Sequence, residues 1–313
     1  MPGSTPLWAQ TEKIQVSRVA YVFPGQGSQK VGMGQELYAA SKEARNVFDE
    51  ADAVLGFSLS KLCFEGPQEE LSQTINAQPA ILATSIALLR AAENRQEIET
   101  SYGPPIFIAG HSLGEYTSLV AAGVLTFSKA LHLARERGRL MQRAGEDSPG
   151  GMAAIIGLEQ HVVEGICTTS GTEIANINSP EQTVISGSTD SLNTAMDIAE
   201  EKGAKRVIPL AVSGAFHSRL MEPAAEAMSH SVQELEFLNA SIPIIANTTA
   251  RPITEASETR AELLDQLCRC VQWRKSVEYM IESGIDTFVE VGPGQVLSGL
   301  IKRIDSRVKV ITL

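Results

Sequence analysis

Gly110-His111-Ser112-Leu113-Gly114 follows the apolar run Pro105-Ile106-Phe107-Ile108-Ala109 and precedes Glu115-Tyr116-Thr117-Ser118-Leu119-Val120-Ala121-Ala122-Gly123. The spacing reads as strand, sharp turn, helix. A serine flanked two positions away on each side by glycine, at such a turn, is the nucleophile-elbow pattern. Small flanking residues allow the tight bend, and the hydroxyl is presented at the C-terminal end of the strand. The amides at the start of the following helix favour negative charge developing there. The competing reading is an ordinary serine helix cap, which the strand-before, helix-after context disfavours.

Strand and helix patterns alternate around this turn. Arg18-Val19-Ala20-Tyr21-Val22-Phe23 is a strand pattern running into the glycine-rich turn Pro24-Gly25-Gln26-Gly27-Ser28-Gln29. Helices are predicted over 41–53, 80–94 and 128–144. After Ser148-Pro149-Gly150-Gly151 the texture changes. Strands over 152–158, 174–178, 182–187 and 205–210 and helices over 161–170 and 191–202 give the order β-α-β-β-α-β, a ferredoxin-like split pattern. Longer elements then return: helices over 219–235, 256–268, 273–283 and 295–303, and strands over 242–247, 287–291 and 308–313. The expected fold is α/β: an α/β-hydrolase-like major domain with a parallel sheet, over 18–148 and 211–313, and a small inserted ferredoxin-like α+β subdomain over 149–210. Residues 1–17 are polar and mixed and are expected to be a flexible N-terminal extension.

The 313 residues are 43% hydrophobic and 20% charged, with a formal net charge of −11. That composition supports a large core and argues against a nucleic-acid partner. No apolar run approaches the ~20 residues of a membrane span. The four cysteines, Cys63, Cys167, Cys268 and Cys270, are scattered, and Cys268-Arg269-Cys270 without a second pair is a poor zinc signature, so no metal is expected. Free thiols suit a cytoplasmic protein, or a plastid or mitochondrial one had a transit peptide been removed. The expected state is a monomer.

A nucleophilic serine needs a base. Of five histidines, His132, His161 and His230 lie in helical patterns and read as fillers. His111 adjoins the serine and reads as a structural or substrate-lining residue. His217, in Val212-Ser213-Gly214-Ala215-Phe216-His217-Ser218, lies on a loop between a strand and a helix and is the base candidate. No acid between Ser112 and His217 falls on an obvious loop of the major sheet, so a backbone carbonyl or an amide side chain is left as an alternative orienter. One arginine of the helix containing Arg135, Arg137, Arg139 and Arg143, turned inward, would clamp a carboxylate. Spacing does not choose which.

Five motifs occur in one order: Phe23-Pro24-Gly25-Gln26-Gly27-Ser28-Gln29, Gly110-His111-Ser112-Leu113-Gly114-Glu115-Tyr116, Arg137-Gly138, Gly214-Ala215-Phe216-His217-Ser218 and Val291-Gly292-Pro293-Gly294. Together they resemble malonyl-CoA:acyl carrier protein transacylases of type II fatty acid synthesis, over residues from about 18 to 313. The resemblance implies an [acyl-carrier-protein] S-malonyltransferase whose partners are malonyl-CoA and holo acyl carrier protein, with no cofactor. It implies that Ser112 is malonylated, that His217 is general base and then acid, and that Arg137 pairs with the malonyl carboxylate. Backbone amides of Gln26 and Leu113 would form the oxyanion hole, and the main-chain carbonyl of Gln266 would orient the histidine. His111, Asn247 and Phe216 would line the substrate site. Ala215-Phe216 resembles malonyl-preferring members. Cys270 stands where many members have a proline. An anionic enzyme with two anionic substrates needs a local basic rim, for which Arg206, Lys302 and Arg303 are the candidates. Rival readings are a trans-acting acyltransferase of a polyketide synthase, a serine thioesterase or other hydrolase, and an inactive carrier-protein docking module.

Overall fold

Val19–Phe23 (β1) is buried at all five positions, the behaviour of a central strand covered on both faces. In the computed structural model, which describes residues 17–95 and 103–313, it lies between β2 (Phe107–Gly110) and β9 (Thr287–Glu290), parallel to both. The six-stranded sheet has the order β10-β9-β1-β2-β7-β8, with β7 at Ile244–Ile245, β8 at Pro252–Ile253 and β10 at Lys309–Thr312. Every pairing in it is parallel except β7–β8. Successive side chains of a strand point to opposite faces. Val19, Tyr21 and Phe23 accordingly join one apolar cluster, with Ile81, Leu82 and Ile86 of the helix Thr74–Asn94. Ala20 and Val22 join another, with Trp273, Val277 and Met280 of the helix Trp273–Glu282.

The second sheet is antiparallel, in the order β4-β5-β3-β6, from β3 (Gly150–Ile156), β4 (Glu173–Ser179), β5 (Gln182–Ser188) and β6 (Arg206–Pro209). Helices Gln160–Ser170 and Thr189–Glu201 bury Val163, Ile166 and Ala195 against Ala153, Ile155 and Ile185. β4 is joined to the main body by hydrogen bonds from Ile177 N to Val271 O and from Val271 N to Ala175 O.

Several boundaries differ from those read in the sequence. The helix expected from residue 80 begins at Thr74 and carries Pro79 at its sixth position, where the missing N–H forgoes one intrahelical bond. The strand expected over 242–247 pairs only at Ile244–Ile245, because the chain turns to build the site at Asn247. The helix expected over 219–235 is a 3-10 turn, Arg219–Met221, followed by Glu222–Glu234 with proline in its first turn. Helices Gln35–Ala40, Leu59–Glu65 and Gln68–Ser72 are too short to show a period in sequence. The extension expected over 1–17 lies, apart from Ser17, outside the described residues.

Candidate active site

The chain leaves β2, turns at Ser112 and enters the helix Gly114–Ala121. Ser112 has φ of 51°, in the left-handed region that costs a non-glycine residue energy. The glycines around it are required by close approach. A Cβ on Gly110 would lie 1.9 Å from the carbonyl carbon of Gly114, and one on Gly114 would lie 2.0 Å from Phe23 O. Asn247 holds the bend: its Oδ1 accepts from Ser112 N at 2.7 Å and its Nδ2 donates to Gly110 O at 2.7 Å.

His217 reaches the serine from the loop after β6. Ser112 Oγ and His217 Nε2 are 2.8 Å apart, and His217 Nδ1 is 2.7 Å from Gln266 O. A carbonyl only accepts, so Nδ1 carries the proton and Nε2 is left free to take the serine proton. Burial, helped by the Arg137 charge, depresses the imidazole to about 3, so it is a neutral base at pH 7.

Arg137 is the inward arginine of the helix Phe127–Asp147 and is 1% exposed. One terminal nitrogen donates to Gln78 Oε1 at 2.9 Å. The other donates to Ser112 Oγ at 3.1 Å and to Gln266 Oε1 at 2.7 Å, while Nε has no partner among the described residues. Its helix neighbour Arg139 ion-pairs with Glu136, and Arg143 lies near Asp147, both on the solvated face. A buried guanidinium 3.1 Å from the nucleophile suits an acyl group that ends in an anion.

The loop after β1 lies against the elbow. His111 N donates to Phe23 O at 3.0 Å, and a Cβ on Gly25 would stand 2.4 Å from His111 O. Gln26 is thereby held beside Ser112, with its side chain on Thr74 Oγ1. Backbone N–H groups of Gln26 and Leu113 donate to no other described residue, whereas Ser112 N is taken by Asn247.

The other sequence candidates divide. His111 bonds Asn178 of β4 through Nε2 at 2.8 Å and packs edge-on to Trp273, so it links the two sheets. Phe216 is buried beside His217. Asn247, expected to line the substrate site, uses both polar atoms of its side chain on Ser112, Gly110 and Glu115, and so holds the elbow. Lys302 and Arg303 close the last turn of the helix Val296–Ile304, and Lys302 Nζ donates to Ser306 O and Val308 O, just before β10 begins. β10 is an edge strand of the main sheet, three strands from β2, whose end carries the elbow. Arg206 is exposed on β6, the outer strand of the second sheet. The sequence reading did not single out Gln78, just ahead of the helix expected from residue 80, or the Glu115 carboxylate, inside the elbow motif. Cys270 leaves the backbone at Val271 paired with β4, and burial raises its thiol to about 12. Among the described residues no His, Cys, Asp and Glu side chains gather to hold a metal ion.

A parallel α/β sheet carrying a serine on a strained turn, with a neutral histidine on that serine, is an arrangement that fits the class of acyltransferases. The chain belongs to the acyl transferase domain family, which matches it over residues 20–312. It is 45% identical over 303 residues to the malonyl CoA-acyl carrier protein transacylase of Bacillus subtilis, covering 95% of this chain and 94% of that one. The Staphylococcus aureus protein of the same name is 41% identical, covering 95% and 96%. Among solved structures, an acyl-carrier-protein S-malonyltransferase from Bartonella henselae superposes with a TM-score of 0.90 at 41% identity, covering 94% of this chain and 95% of that one. A malonyl-transacylase in complex with a type II polyketide acyl carrier protein superposes with a TM-score of 0.90 at 39% identity, covering 95% and 96%. These organisms are bacteria, and an organellar setting gains no support from them.

Proposed function

We propose that this acyltransferase moves malonyl from malonyl-CoA to the phosphopantetheine thiol of acyl carrier protein, through a malonyl-Ser112 intermediate. The observation that carries the reading is the Arg137 guanidinium, buried 3.1 Å from Ser112 Oγ. An uncharged acyl chain leaves that cation without an anionic partner, whereas a malonyl group brings its own carboxylate.

His217 Nε2 takes the Ser112 proton as Oγ attacks the thioester carbonyl, and the amides of Gln26 and Leu113 receive the oxyanion. The imidazolium returns its proton to the departing CoA sulfur. In the second half, His217 takes the proton of the carrier-protein thiol, the thiolate attacks malonyl-Ser112, and the proton passes back to Ser112 Oγ. The neutral Gln266 carbonyl orients the histidine throughout. No cofactor enters this scheme. The second sheet with its two helices would be a ferredoxin-like subdomain over 149–210, set between 18–148 and 211–313. A monomer in the cytoplasm suits the reading, and no described helix is long and apolar enough to cross a membrane.

The carrier protein of fatty acid synthesis is the acceptor we favour. A polyketide carrier protein is the second reading, favoured by the structural relative bound to one. Mixing the protein with malonyl-CoA and reading intact mass should show one malonyl adduct, lost in Ser112→Ala. Hydrolysis to free malonate, without adduct or transfer to carrier protein, would make the protein a thioesterase instead.

A further inference from the structure

Behind the elbow lies a buried carboxylate with no part in the proton transfers. Glu115 is 1% exposed, in the first turn of the helix that follows Ser112. One oxygen accepts from Asn247 N at 2.9 Å and Asn247 Nδ2 at 3.1 Å, and the other accepts from Gln266 Nε2 at 2.6 Å. All three partners are N–H donors, so both oxygens serve as acceptors, the state of a carboxylate. Burial, and after it the nearby Glu262, raise its pKa well above the ordinary carboxylate range, although these donors and Arg137 pull the other way.

Gln266 is where this carboxylate acts. Its side-chain nitrogen donates to Ser112 O at 2.8 Å as well as to Glu115, and its side-chain oxygen accepts from Arg137 at 2.7 Å. An acceptor-only carboxylate on one side forces the amide nitrogen to that side and the amide oxygen towards Arg137. Among the described residues Arg137 hydrogen-bonds the neutral acceptors Gln78, Gln266 and Ser112, and its guanidinium lies 5.3 Å from the centre of the Tyr116 ring. Tyr116 beside it favours the charged guanidinium, and so does Glu115, the carboxylate that reaches it across the Gln266 amide. A direct ion pair would occupy the guanidinium. A relay compensates the buried charge and leaves the guanidinium able to take a carboxylate from outside.

We infer that Glu115 is a positioning residue for acyl selectivity, which orients Gln266 so that Arg137 is held and charge-compensated for the free carboxylate of the acyl group. The inference rests on the malonyl reading of the site. Glu115→Gln keeps the shape but not the acceptors. Because Asn247 N is backbone and cannot turn, the new amide keeps its oxygen there and presents its nitrogen to Gln266 Nε2. Gln266 then turns its own nitrogen towards the guanidinium.

The test compares Ser112 acylation by malonyl-CoA and acetyl-CoA, each as kcat/KM from quenched intact mass. In Glu115→Gln, the malonyl-to-acetyl ratio is expected to fall about tenfold or more, with malonyl KM raised, the scale of one hydrogen bond to a charged group. Glu262→Gln removes a comparably buried carboxylate bonded to Thr248 rather than to Gln266, and should keep the ratio. Equal slowing of both thioesters in Glu115→Gln, or an unchanged ratio, overturns the inference. So does an equal fall in Glu262→Gln. If Glu115→Gln does not fold, Gln266→Met decides, because it cuts the relay at its other end and leaves the carbonyl on His217. A lost preference there supports the relay, and a kept preference overturns it. A wild-type protein without malonyl preference overturns the malonyl reading as well, whereas a wild-type preference retained by the variants overturns the relay alone.

Discussion

Gln266 presents its backbone oxygen to His217 Nδ1 at 2.7 Å, where a carboxylate orients the imidazole in the familiar serine triad. The carbonyl fixes the same tautomer without an anion that would stabilise the imidazolium. Burial therefore dominates, aided by Arg137, and the imidazole falls to about 3.

This sets the pH dependence of acylation. In the free enzyme His217 stays neutral from pH 8 down to pH 5, so kcat/KM for malonyl-CoA should be flat across that range. An acid limb with a midpoint near 6.5 would show a histidine at its ordinary value. Stability carries the same sign. The native pKa lies below the unfolded value of ~6.5, so the contribution of the neutral imidazole is complete above pH ~6.5 and declines as pH falls towards 3. Denaturation midpoints measured from pH 7 to 4 should fall less steeply in His217→Gln than in the wild type.

Arg137→Ala should lose selectivity rather than chemistry. Removing a hydrogen-bonded cation costs the malonyl transition state about 1.5–3 kcal/mol, roughly 10–150-fold in kcat/KM. Acetyl transfer should survive, since Ser112, His217 and the Gln266 carbonyl remain. Acylation rates with the two thioesters measure the ratio, and equal loss with both would remove Arg137 from the recognition of the acyl group.

The elbow was legible in the sequence because its determinants are local: a strand, two glycines, a serine and a helix within a few residues. His217 was legible for the same reason, as a histidine on a strand-to-helix loop. Arg137 was not, since four arginines share its helix and the sequence does not show which faces Gln78 and Gln266. Resemblance to a family chose it. Glu115 and Asn247 stayed obscure because their roles are contacts across 132 residues of chain. Charge alone carries no position for Lys302, whose ammonium is bonded to carbonyls just before β10, an edge strand of the main sheet.

Glycine substitutions should separate geometry from propensity. Gly114→Ala drives a Cβ to 2.0 Å from Phe23 O, a backbone atom that cannot swing aside. Overpacking of this kind costs about 1–3 kcal/mol or more, and here it also displaces Ser112. Gly165→Ala, on the exposed side of the helix Gln160–Ser170 with nothing near the new Cβ, should instead stabilise by about 0.5–1 kcal/mol. Thermal melts of the two variants should shift in opposite directions, with serine acylation impaired only in Gly114→Ala.

Carrier-protein docking offers a comparison between two exposed cations of the same net effect on charge. Arg206 lies on β6, whose sheet reaches the site through Asn178 against His111. Arg303 ends the helix before β10, an edge strand of the main sheet. If a local rim guides an acidic carrier protein, Arg206→Glu should raise its KM by roughly 2–5-fold at low ionic strength, the scale of an exposed ion pair, with KM for malonyl-CoA less affected. Arg303→Glu changes the global charge equally and should leave the carrier-protein KM near the wild-type value. The Arg206 effect should shrink as salt rises past ~0.15 M, where the screening length is about 8 Å. An Arg206→Glu enzyme with unchanged KM at low salt would exclude that strand from the docking surface, and equal effects from both variants would assign the change to net charge rather than to position.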